Sequence, residues 1–143
     1  MPRADFAFSH RIRVRWAEVD PQRVVFNARY LDYADIAMTE YWRAMHASGL
    51  WPYGETMEFH VAKAVVQYRK PIVGDEEIDL LVRTSATGRT SVTNAIEIHG
   101  AASDELRAEI ELVSVHVDLA MHPPAPLPDG YAPAFAALDR QAA

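Results

Sequence analysis

Residues 8 to 16 alternate between two characters. Phe8, Ile12, Val14 and Trp16 fall on one side, with His10 among them, and Ser9, Arg11, Arg13 and Arg15 fall on the other. That is the pattern of a strand with one buried face. The period then changes across Asp20-Pro21-Gln22-Arg23. Asn27 to Ser48 reads as a helix, with Leu31, Ala34, Met38, Tyr41, Trp42 and Met45 at helical spacing and Tyr30, Tyr33, Ile36 and Ala37 widening the stripe. Asn27 is the expected N-cap and Gly49 the expected terminator.

Four more strands are predicted. Glu58 to Arg69 carries Phe59, Val61, Val65, Val66 and Tyr68 and ends near Pro71 and Gly74. Ile78, Leu80 and Val82 alternate with Asp79 and Arg83; after the turn Thr87-Gly88-Arg89-Thr90, Val92, Ile96 and Ile98 alternate with Thr93, Glu97 and His99. In the last strand, Leu106 to Asp118, apolar residues lie at even positions up to Leu112 and at odd ones from Val113, a change of parity that predicts a bulge near Val113. From about residue 121 prolines crowd the chain (Pro123, Pro124, Pro126, Pro128, Pro133), which predicts an extended tail over the surface. Consecutive hairpins imply an antiparallel sheet, and a broad apolar helix must bury itself against that sheet. The free edges of such a sheet favour pairing with a second copy.

Composition narrows the class. A chain of 143 residues suits one domain, here 1–143, with a sizeable core. There is no cysteine, so no disulfide framework and no thiolate chemistry, in keeping with a reducing, cytoplasmic setting. The N-terminus lacks a signal-peptide pattern, and no apolar run is long enough for a bilayer, so no membrane partner is expected. A net charge of -6 argues against nucleic acid, whose binding is dominated by phosphate neutralisation. No P-loop, dinucleotide fingerprint, zinc spacing or nucleophile-elbow serine appears among these residues.

The stretch Arg15 to Tyr30, RWAEVDPQRVVFNARY, resembles the signature of the 4-hydroxybenzoyl-CoA thioesterase-like family, the hotdog-fold acyl-CoA thioesterases. Tyr68-Arg69-Lys70-Pro71, Gly74-Asp75, Gly88-Arg89-Thr90-Ser91 and Val115-His116-Val117-Asp118 resemble later landmarks of the family, so the likeness spans roughly residues 8 to 120. It implies an α+β hotdog fold, about five antiparallel strands wrapped around one long central helix. It implies hydrolysis of an acyl-CoA thioester without cofactor or metal, in a homodimer or homotetramer. One departure stands out: Arg23 occupies a position where the family usually has Gly, and Arg fits there if φ is negative.

The resemblance assigns Asp20 as nucleophile or general base, two roles that sequence leaves open. On residue type alone Asp20 is equally a turn aspartate bonding nearby amides. The resemblance places an oxyanion donor at the backbone N–H of Asn27, at the positive end of the helix. Arg89, with Arg69 and Lys70, is a candidate for the coenzyme A phosphates, since guanidinium groups bind phosphate bidentately. Arg83 would extend the same cluster. Tyr30, Tyr33, Trp51 and Phe59 are candidate acyl-channel residues and His60 a candidate site residue; each is also readable as structural. Glu18, Asp35 and Glu40 are read as paired or solvated carboxylates. Alternatives are a non-catalytic acyl-CoA or fatty-acyl binding module, favoured by Arg23, and a hotdog hydratase or dehydratase, whose catalytic-His pattern is not found.

Overall fold

The computed structural model describes residues 3–54, 57–120 and 123–141. After a 3-10 turn at Arg3–Asp5 come β1 (Phe8–Arg13), a second 3-10 turn (Trp16–Glu18), α1 (Arg29–Ser48), β2 (Phe59–Tyr68), β3 (Glu77–Thr87), β4 (Ser91–Gly100), β5 (Leu106–His116) and α2 (Tyr131–Arg140). The strands form one antiparallel sheet in the order β1-β3-β4-β5-β2, which leaves β1 and β2 at the edges. This is the α+β hotdog arrangement: Ile78, Leu80, Val82, Ile96, Ile98 and Ile110 meet Tyr33, Ala34, Ala37, Tyr41 and Met45 of α1 in one core. Two alanines on the buried stripe let the helix lie close to the sheet. Gly49 ends α1 with φ 76, a left-handed residue that glycine adopts without steric cost.

Several expectations need correction. β1 stops at Arg13, and Trp16 does not join its apolar face: the Arg15 amide closes a 3-10 turn on the Glu18 carboxylate at 2.8 Å, which swings Trp16 outward to 90% exposure. Asn27 is not the N-cap. The helix begins at Arg29 with Ala28 in the capping position and no side-chain cap, and Asn27 belongs to the turn before it. The parity of β5 does not change at Val113. Ala108, Ile110, Leu112 and Ser114 all face inward, so a polar inward residue hid the continuity, while Val113 and Val115 lie on the other face. The irregularity nearest to them falls on the partner strand, between Val61 and Lys63 of β2. On the outer face Asp79, Glu97 and His99 are buried rather than solvated. Asp79 is held by Arg3 and Arg11, and the His99 ring lies between the Glu97 carboxylate and the Asp104 carbonyl.

The proline-rich segment is extended only in part. Residues 123–128 run back along the end of β5, with Ala125 N–H on His116 O and Leu127 N–H on Arg89 O, and α2 follows. Its Pro133 lies in the first helical turn, where the missing N–H is no loss. Tyr131, Ala134, Phe135 and Leu138 are buried at helical spacing, and Phe135 packs 4.9 Å from the Trp42 ring and 5.2 Å from Tyr41. Asp139 reaches inward to accept from the Tyr41 hydroxyl at 2.6 Å and from the Thr84 amide at 3.0 Å.

Candidate functional site

The segment between β1 and α1 is a hairpin. Asp20 N–H donates to Val24 O, and Arg23 N–H donates back to Asp20 O, both at 2.9 Å. Asp20-Pro21-Gln22 therefore forms a turn that Arg23 completes at φ 67, in the left-handed region. This is the three-residue hairpin loop whose last position is normally glycine. The condition under which Arg fits without strain, a negative φ, is not met: φ is positive, and Arg is held there at a steric cost that Gly would not incur. The hairpin is fixed to the rest of the fold by Val25 N–H on Ile72 O and by the bridge Val24 to Val73. Glu18, read as paired, accepts from the Arg15 amide and from the Tyr33 hydroxyl, which ties the hairpin to α1. Burial first, and then Glu18, raises the Tyr33 hydroxyl far above its ordinary range.

Asp20 is half-buried on this hairpin. One carboxylate oxygen accepts from Gln22 N–H at 2.8 Å, the bond of a turn aspartate; the other has no partner among the described residues. Asn27 lies three rows away on the same hairpin, roughly 10 Å of strand. The amides of Asn27 and Ala28 are exposed and donate to no group among the described residues. Two free N–H groups thus stand at the leading end of α1, where the helix dipole is positive.

From that end a cleft of about 790 Å³ runs along α1, from Leu31 past Met38 and Trp42 to His46, with Asp35, Thr39 and Arg43 of the same helix also lining it. Its floor is Phe59, Val61 and Ala64 of β2 with Val92, Asn94, Leu112 and Ser114 of β4 and β5. Leu31, read as core, is 45% exposed because it faces this cleft. The volume is that of a small-molecule pocket. Sequence reading did not single out Asn94 or Ser114; the available signal was a polar residue at an inward position of an alternating strand.

The other candidates are spread through the fold. Tyr30 is buried, its hydroxyl raised by desolvation, with its ring edge-on to Tyr68 at 4.8 Å. Tyr68 in turn donates to Asn27 O at 2.9 Å. Trp51 is core, and Phe59 does reach the cleft. His60 is exposed on β2. Arg69 is bonded to Glu109 and Lys70 to Glu105, so both cations already have carboxylate partners. Arg83 lies over the Phe6 ring, and Glu40 pairs with Arg43. Arg89 is exposed in the β3–β4 turn, its guanidinium without a partner among the described residues. β3 runs from Glu77, beside the hairpin, to Thr87, beside Arg89, so a single chain holds Arg89 and Asp20 roughly 30 Å apart. His122 lies outside the described residues. Among the described residues no His, Asp and Glu side chains gather as a metal-binding set, and no helix is long and apolar enough to cross a membrane.

Comparison with known proteins gives three results. The family model of the Thioesterase-like superfamily matches residues 14–135. A search of curated proteins gives no match. Among solved structures, a thioesterase of Thermus thermophilus complexed with coenzyme A and Zn is 28% identical, with TM-score 0.78, covering 94% of this chain and 96% of that one. A 1,4-dihydroxy-2-naphthoyl-CoA thioesterase from Synechocystis is 19% identical, with TM-score 0.78, covering 93% and 98%. A Pseudomonas aeruginosa protein is 24% identical, with TM-score 0.80, covering 99% and 97%.

Proposed function

Since this chain belongs to the thioesterase-like superfamily, we propose that it hydrolyses an acyl-CoA thioester to free coenzyme A and a carboxylic acid. The observation that carries the reading is the half-buried Asp20 and the two unpaired amides of Asn27 and Ala28 on one hairpin, just ahead of Leu31, where the cleft along α1 begins. The thioesterase crystallised with coenzyme A supports the choice of thiol.

Acting as base, Asp20 takes a proton from water as the water oxygen bonds the thioester carbon. Acting as nucleophile, it bonds that carbon itself, and water later cleaves the resulting anhydride. In both routes the oxyanion is held by the Asn27 and Ala28 N–H groups. The C–S bond then breaks, and the coenzyme A thiolate leaves and is protonated. Solvent oxygen found in Asp20 after a single turnover in oxygen-labelled water establishes the nucleophilic route with water attacking the Asp20 carbon of the anhydride, since general-base hydrolysis labels only the released acid.

The site we propose is completed by a second copy. β2 is an open edge with Val61, Val65 and Tyr68 exposed. Its Tyr68 end adjoins Asn27, and its Phe59 end adjoins His116, whose amide bonds Thr90 next to Arg89. Antiparallel pairing of two β2 edges therefore sets the partner's Arg89 turn beside Asn27 and Asp20, with an unengaged guanidinium for phosphate. A homodimer is the smallest assembly that does this. Arg69 and Lys70 could join only by leaving their carboxylates.

One observation favours a non-catalytic acyl-CoA binding module: the Gln22 amide already occupies one oxygen of Asp20. Thiol release across a panel of acyl-CoA thioesters decides between them. Asp20→Asn is expected to keep binding and lower turnover by about 10²–10⁴-fold, the usual weight of one acid–base group. Binding by the wild type without thiol release would establish the module, and unchanged turnover in Asp20→Asn would remove Asp20 from the chemistry.

A further inference from the structure

The helix side of the cleft carries Asp35, Thr39, Arg43 and His46 of α1, whereas its sheet floor is apolar except where Asn94 and Ser114 enter it. Both are almost fully shielded, Asn94 at 1% and Ser114 at 8% exposure. They sit on neighbouring strands of the inner face, since Asn94 pairs with Leu112 and Ser114 with Val92. Among the described residues the Ser114 hydroxyl has no hydrogen-bond partner.

The orientation of Asn94 is fixed from behind. Its amide nitrogen faces Arg83 O at 3.4 Å and Thr84 Oγ1 at 3.3 Å. A backbone carbonyl only accepts, so the group facing it is the NH₂ and the carbonyl oxygen of Asn94 points away. Thr84 Oγ1 is itself 3.0 Å from the Tyr41 hydroxyl, which donates to Asp139. The chain Asp139, Tyr41, Thr84, Asn94 thus locks the amide in one sense. It leaves Asn94 Oδ1 as an acceptor without a donor among the described residues, on a side chain that lines the cleft. That oxygen is not among the fully enclosed side-chain atoms lacking a partner, which among the described residues are Arg83 Nε and Arg107 Nε, so it keeps some surface. An acceptor and a hydroxyl left open on neighbouring strands of an otherwise apolar floor match a ligand that brings a hydrogen-bond donor.

We propose that Asn94 and Ser114 are specificity-determining residues that read a hydroxyl carried by the acyl group. The substrate class is then a hydroxyacyl thioester with its hydroxyl remote from the carbonyl. This rests on the thioesterase reading for the position of the carbonyl. With the carbonyl at the Asn27 end, marked on the sheet by the Tyr68–Ala108 row, Asn94 and Ser114 lie four and six residues further along β5, roughly 13–20 Å. A short acid cannot span that distance, and a saturated chain would bury both polar groups unpaired.

The test uses two independent readouts on the full chain. Calorimetric binding of saturated fatty acids and their ω-hydroxy counterparts, matched across medium chain lengths, probes the cleft without hydrolysis. The wild type is expected to prefer the hydroxy acid by about ten- to hundred-fold at the best length, because a site built to bond a hydroxyl rejects the analogue lacking it. Asn94→Leu is expected to abolish or invert that preference. Ser114→Ala, a milder change in case Asn94→Leu fails to fold, is expected to reduce it several-fold. Equal affinities in the wild type, a preference that survives both substitutions, or no binding at all (the result if a second copy fills the cleft) each overturn the proposal. Thiol release from the matching thioesters is measured separately. Release without hydroxyl preference sinks this inference and spares the hydrolase; hydroxyl-selective binding without release does the reverse.

Discussion

Replacing Arg23 by Gly should stabilise the protein. An L-residue in the left-handed region pays about 1–2 kcal/mol for the approach of Cβ to the backbone, and Arg23 sits there with φ 67. Glycine removes that cost but loses about 0.5–1 kcal/mol through the extra freedom of the unfolded chain. The net gain is about 0.5–1 kcal/mol, the difference between those two. The side chain offers nothing to set against it, because Arg23 is exposed and its guanidinium has no partner among the described residues. The turn's hydrogen bonds are made by backbone groups and the Asp20 carboxylate, none by the Arg23 side chain, and survive the change. For a chain of this length the gain corresponds to a rise in Tm of about 2–4 °C. Urea and thermal unfolding at one fixed protein concentration measure it, since assembly would otherwise move the midpoint. Arg23→Ala is the control: it keeps Cβ and the strain, and should match the wild type within about 0.5 kcal/mol. A less stable Arg23→Gly, or an alanine variant stabilised as much as the glycine one, would refute the reasoning.

Asp79→Asn should cost about 2–3 kcal/mol at neutral pH, by removing the charge that Arg11 and Arg3 bond. The Arg11 bond is the main cause that holds the Asp79 carboxyl below its ordinary range. That stability is present above the usual carboxylate pKa and is lost as pH falls through the depressed value. The gap between variant and wild type should therefore close in acid, followed by urea midpoints across pH; a gap that persists there would contradict the assignment. Phe135→Ala should cost about 3–5 kcal/mol, because the side chain is wholly buried among Trp42, Tyr41 and Tyr131. Denaturant unfolding and near-ultraviolet dichroism of the packed aromatics read it, and a change under about 1 kcal/mol would mean that α2 detaches readily.

The sheet and α1 were legible because period-two and period-3.6 patterns mark a half-buried strand and a packed helix directly. The misreadings share a cause: a polar residue on an inward face, or an apolar one outside the fold's interior. Ser114 broke the inward series of β5 and made Val113 look like a change of face. Trp16 continued an alternation that the Glu18 cap had already ended. α2 was masked by Pro133, although Tyr131, Ala134, Phe135 and Leu138 have helical spacing. At the site, the family likeness pointed to Asp20 and Asn27, whose roles are part of the proposal above. The engagement of Arg69 and Lys70 and the separation of Arg89 from Asp20 depend on long-range pairing, which a linear pattern does not carry, whereas the left-handed Arg23 belongs to a local loop with Arg in the place of its usual glycine.

The buried tyrosines give the molecule a built-in indicator. Tyr30, Tyr33, Tyr41 and Tyr131 all have hydroxyls raised chiefly by desolvation, while Tyr53 and Tyr68 keep exposed rings. A raised folded value means that stability is intact below the usual phenol range near about 10 and is spent as alkali climbs through it. The ultraviolet absorbance of phenolate from these four rings should accordingly stay low until the fold is lost. Hydroxide reaches them only when the chain gives way, so one wavelength would report collapse of the interior.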